Sequence, residues 1–158
     1  MSFIRNTILS LGGTPVPVCQ YDFTGITNVV SFVQYSDLFS NTGVRAYDGG
    51  LNAITSPTYQ EVAATIATVE GRHAAVLNEL VGLVPFPDVT EYPAPPSQIY
   101  ANISAFTISC ATSTPLTLPV VRSQTSDYVA PTAKNSVDDI TTLNYALTLE
   151  HLEATFYT

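Results

Sequence analysis

The chain has 158 residues, 46% of them apolar and only 11% charged, with a net charge of −8. That length suits a single domain, 1–158, with a sizeable core. The charged fraction is far below the quarter usual in soluble domains, which points to a surface of hydroxyls, tyrosines and prolines partly covered by a partner. Five basic residues against thirteen acidic ones exclude a phosphate-backbone binder, so no nucleic acid is expected.

Residues 2–11 read as a short amphipathic helix with Phe3, Ile4, Ile8 and Leu11 on one side, stopped by Gly12 and Gly13. Arg5, Asn6 and Thr7 break its apolar run, so it makes no convincing signal peptide and the cytoplasm is favoured. No run approaches 18 apolar residues, so no membrane span is expected. Residues 14–23, with Pro15 and Pro17, form an extended connection. A long helix follows over about 26–47, its apolar face interrupted by Asp37 and Ser40, and Asp48-Gly49-Gly50 ends it. Gly43 in mid-helix costs about 1 kcal/mol relative to alanine, a sign of close approach by another backbone or of a kink. Cys19 and Cys110 lack metal-ligand spacing; they pair, or both are small buried residues, and the second reading is preferred.

Ser56 and Pro57 then open a helix over 57–81. Tyr59, Val62, Ala63, Ile66, Val69, Val76, Leu77 and Leu80 fall at helical spacing, and Glu70 and His73 sit three apart inside that stripe. Both side chains should therefore point where the helix packs. A carboxylate and an imidazole so placed form the unit from which bundle di-metal sites are built. The plainer alternative is a buried Glu–His pair satisfied by its neighbours.

From 83 to 135 the chain is rich in Pro, Ser and Thr. Pro85, Pro87, Pro93, Pro95 and Pro96 preclude a regular element in its first part. Residues 97–109 read as one short helix and 114–121 as extended, in an irregular wrap over the bundle that buries Tyr100, Phe106 and Ile108. Asn102-Ile-Ser104 is a glycosylation sequon that carries no weight without an export signal. The last helix spans about 137–157, with Ser136 and Asp139 placed as in a capping box. Glu150 lies at the centre of its apolar face, Glu153 one turn on, and His151 turned by about 100° toward the edge.

The segment Leu143-Asn-Tyr-Ala-Leu-Thr-Leu-Glu-His-Leu-Glu-Ala-Thr-Phe-Tyr157 resembles the first helix of the ferritin-like domain of fungal stress-associated and plant desiccation-related proteins. Gly43-Val-Arg-Ala-Tyr47 and Thr68-Val-Glu-Gly-Arg-His-Ala-Ala-Val-Leu77 resemble its third and fourth helices. Ser97-Gln-Ile-Tyr100 and Phe106-Thr-Ile-Ser-Cys110 resemble its C-terminal tail. The resemblance implies an all-α, ferritin-like four-helix bundle, one helix short and in circularly permuted or truncated order. Glu150 would then match the first-helix carboxylate, and Glu70 with His73 the fourth-helix pair. The second-helix pair is absent, Ser40 stands where a glutamate is usual, and Asp37 one turn away is a candidate substitute.

Half the di-iron ligand set is thus missing, which disfavours a di-iron or single-metal oxidase or ferroxidase. The preferred reading is a non-catalytic protein. It would hold an elongated apolar small molecule, such as a polyene pigment or a lipid, beside a degenerate metal site of Glu70, His73, Glu150 and Asp37. The first helix spans about ten residues against roughly twenty for its companions, so one corner of the bundle is half empty. A second chain, the wrap or the ligand must fill it, and a homodimer is expected. Phe32, Tyr35, Phe39, Tyr47, Tyr145 and Phe156 are the candidate ligand-binding residues. The cofactor would be one metal ion or a bound apolar chromophore. A structural stress-protection protein without a small-molecule partner remains the third class.

Overall fold

Asn28 sets the start of the central helix. In a computed structural model describing residues 2–111, 116–119 and 136–158, its side chain accepts from the Ser31 amide at 3.0 Å. The Asn28 amide in turn donates to the Ser31 hydroxyl at 3.1 Å, a reciprocal cap that satisfies two otherwise orphaned donors. Helix α2 therefore runs Val29–Gly50, three residues late against the expected 26. It also passes through Asp48, Gly49 and Gly50 into a 3-10 turn, Leu51–Ala53, instead of stopping there. Gly49 is used for close approach: a Cβ there would collide with the Ala94 carbonyl, and the Ala94 amide donates to the Arg45 carbonyl at 3.1 Å.

Helix α1, Ser2–Ser10, ends at Gly12, whose φ of +78° lets the Gly13 amide reach the Ile8 carbonyl at 2.9 Å. Helix α3, Pro57–Leu80, ends the same way at Gly82, with the Leu83 amide on the Asn78 carbonyl at 2.8 Å. Helix α5 spans Ser136–Phe156. Asp139 near its start is buried and accepts from the Thr55 hydroxyl at 3.0 Å, tying α5 to the α2–α3 connection. The side chain of Ser136, the other half of the expected capping box, lies outside the described residues.

The result is an all-α bundle whose core falls into three clusters. Ile4 and Ile8 of α1 meet Leu143 and Leu147 of α5. Tyr47 and Ile54 meet Ala63 and Ala67 of α3. Phe39 and Ala46 of α2 meet Tyr145, Leu149, Leu152 and Phe156 of α5, capped by Ile99 and Ile103. Each large side chain so buried contributes about 1.5–3 kcal/mol.

The stretch 97–109 is not one helix. Helix α4, Pro96–Ser104, is followed by strand β2, Thr107–Ser109, which pairs antiparallel with strand β1, Gln20–Tyr21. Gln20 stands opposite Ser109, so the next residues outward, Cys19 and Cys110, come to a Cα–Cα distance of 4.2 Å and form a disulfide with Sγ–Sγ 2.07 Å. This corrects the expectation of two buried, unpaired cysteines: Cys19 is only half-buried and Cys110 is exposed. The wrap also buries less than expected, because Tyr100 and Ile108 are exposed and only Phe106 turns inward. Of the extended stretch expected over 114–121, residues 116–119 are described and form no helix or strand, and the other half lies outside the described residues.

Candidate functional site

Ala63, Ala67, Glu70 and Ala74 form the buried edge of α3, so Glu70 sits among small residues where α3 approaches α2. Opposite it on α2 is Gly43. A Cβ at that position would lie 3.3 Å from Glu153 Oε1 and 3.6 Å from Glu70 Oε2. The close approach foreseen at Gly43 is thus made by two carboxylates, not by a backbone. Glu153 arrives from α5, and one turn earlier Glu150 Oε1 accepts a hydrogen bond from the Tyr47 hydroxyl at 2.6 Å.

Nearby negative charges raise the proton affinity of a buried carboxylate. Burial, then the charges of Glu70 and Glu150, push Glu153 up to about 8, so it is largely protonated at neutral pH and able to donate. Burial also raises Glu70, offset by the His73 imidazole and reinforced by Glu150. Its Oε2 is buried and accepts no hydrogen bond among the described residues. Tyr47 is held well above the usual phenol range by burial and by the charge of Glu150, so it remains a donor.

The other expected ligands are placed differently. The His73 ring is 58% exposed, with Nδ1 3.6 Å from Glu70 Oε1, and does not point into the packed interior. Asp37 belongs to a separate bridge between α2 and α3: its Oδ1 accepts from Asn41 Nδ2 at 3.0 Å, and the same nitrogen donates to Asn78 Oδ1 at 3.1 Å. His151, expected at the edge, is buried under the α1–β1 connection, its Nε2 3.2 Å from the Val16 carbonyl oxygen. Among the described residues no group of three or more His, Cys, Asp or Glu is placed to hold a metal ion.

The aromatic candidates divide between two places. Phe39, Tyr35 and Phe156 pack into a cluster with Phe23 and Phe106. Phe32 stacks flat on Phe156 at 5.1 Å, and Tyr157 meets Phe156 edge-on at 4.8 Å. Tyr47 and Tyr145 instead line a cavity beneath α1 of about 30 Å³, room for roughly one water and no more.

The larger opening lies over the carboxylates. Ser40, Glu70, His73, Val76, Leu77, Glu153 and Tyr157 line a groove of about 560 Å³, with Arg72 at its side. Among the described residues the lining comes from α2, α3 and the end of α5, and none of it from the nine-residue α1. Helix α1 packs on α5 at Leu143 and Leu147, away from the Glu153 and Tyr157 side chains that line the groove. On the same side the His73 ring faces out, and Val76 and Leu80 are exposed.

Residues 1–83, which contain α1, α2 and α3, match the model of the ferritin-like domain. The chain belongs to that family. No curated protein matches it. A ferritin-like di-metal centre draws a Glu from each of two helices and a Glu-x-x-His from each of the other two. Here Ser40 is a buried hydroxyl and the only Glu-x-x-His among the described residues, Glu70 with His73, turns its ring outward. The donor set therefore does not fit a di-iron centre. Neither the Tyr47–Glu150 bond nor the part played by Glu153 emerged from helical spacing. The available signals were Glu153 at i+3 from Glu150 and a glycine in the middle of α2.

Proposed function

We propose that this ferritin-like chain is a non-catalytic binding protein that holds an elongated apolar molecule in the groove between α2, α3 and α5. The groove itself carries the reading: its volume falls within the range of small-molecule sites, with apolar walls and few convergent polar groups. Val76, Leu77 and Tyr157 supply the walls, and Phe32, stacked on Phe156, extends the aromatic surface beside Tyr157. Glu153 as a donor and Glu70 as an acceptor fix the polar end. Phe39 and Tyr35 act from behind by holding that aromatic layer, and Tyr47 by orienting Glu150. A polyene pigment or a lipid has the matching shape, and the α5 sequence supports a place among the fungal stress-associated and plant desiccation-related members. Organic extraction of the protein purified from its source should release such a molecule in near-stoichiometric amount; an extract empty of it would contradict the reading.

A second reading, a single metal ion at Glu70, His73 and Glu150, with Asp37 more remote, is favoured by Glu70 Oε2, which has no partner among the described residues, and requires the His73 ring to turn inward from where it stands. Iron or another metal in near-stoichiometric amount by elemental analysis would establish it. Val29, Val30 and Phe32 form an exposed apolar strip at the start of α2 that supports a homodimer, to be read by sedimentation velocity. The disulfide supports folding in an oxidising compartment rather than the cytoplasm.

A further inference from the structure

We propose that Asn102 carries an N-linked glycan. The inference rests on the oxidising-compartment reading of the disulfide and is independent of what occupies the groove. Asn102-Ile103-Ser104 is the acceptor triplet read by glycan transfer in secreted proteins. Of the triplet only the middle residue faces the core: Ile103 is 3% exposed, whereas Asn102, Ser104 and the flanking Ala101 and Ala105 are exposed. Among the described residues the Asn102 side chain makes no hydrogen bond that a glycan would break, and it is exposed.

The compartment comes from a different observation. Cys19 and Cys110 are joined across 91 residues of chain and locked by the β1–β2 ladder. A bond of that kind is a structural strap, and such bonds form and persist where the thiol pool is oxidising. That environment is also where a lipid-linked oligosaccharide meets a nascent chain. Asn102 Nδ2 forms a bond to the anomeric carbon of the first sugar. The bond from that carbon to the polyprenyl pyrophosphate breaks, the pyrophosphate leaves with the electron pair, and one Nδ2 proton passes to a base of the transferase. Transfer to an extended acceptor precedes the winding of α4, and the finished fold then keeps the sugar outside.

Intact mass spectrometry of the unreduced protein, purified from the cells that make it, tests this directly. The mass should exceed that of the disulfide-bonded polypeptide, and peptide-N-glycosidase should remove the excess and deamidate position 102. Asn102→Gln and, separately, Ser104→Ala should each abolish the excess while the disulfide stays intact. An unmodified Asn102 with the disulfide formed would overturn the glycan and leave the compartment reading standing. An unmodified Asn102 with both thiols free would overturn the two together.

Discussion

The Tyr47 hydroxyl donates to Glu150 Oε1 at 2.6 Å and joins the α2 core to the carboxylates of α5. Hydrogen bonds to an ionised partner contribute about 1.5–3 kcal/mol, and removing the donor leaves the acceptor under-solvated. Tyr47→Phe should therefore destabilise by about 2 kcal/mol. Tyr145→Phe provides the contrast, since that buried hydroxyl has no partner among the described residues, and should be neutral or slightly stabilising. Urea unfolding of the two variants checks the pair.

Glu153 sets an unusual pH dependence. Its folded value is pushed up to about 8 from an ordinary 4.5, so between these the folded chain binds a proton that the unfolded chain has released. Stability should fall as pH rises through that window, by at most about 1.4 kcal/mol per pH unit. Glu153→Gln should flatten the profile and be the more stable protein at the alkaline end. Unfolding midpoints measured across the window decide it, and a midpoint for the wild type that rises with pH would count against the carboxylate cluster.

The three long helices were legible because their apolar stripes repeat at helical spacing, and the same spacing brought Glu70 and Glu150 together. What it could not show was what faces them. His73 lies on the stripe of α3 yet points outward, because exposure depends on what packs over a helix and spacing within the helix does not record that. The disulfide was hidden for a different reason. It depends on a ladder of two and three residues that has no periodicity of its own and joins segments 91 residues apart. Gly49 and Gly50 read as a stop, but one of them is occupied by the approach of Ala94.

The Cys19–Cys110 bond should be a substantial stabiliser. It closes a long loop, for which restricting the unfolded chain is worth about 2–4 kcal/mol. Cys19→Ser with Cys110→Ser should lower stability by that amount in guanidinium unfolding. Because the bond anchors β1 beside Phe23 and Phe106, the near-ultraviolet circular dichroism of the aromatic cluster should weaken as well.

Saturable binding of a fluorescent conjugated fatty acid tests the groove most directly. The wild-type protein should bind one probe per chain, and Val76→Glu, which places a charge on an exposed groove wall, should abolish binding while the far-ultraviolet spectrum is unchanged. Absence of saturable binding to the wild type, or equal binding to the variant, would contradict the account.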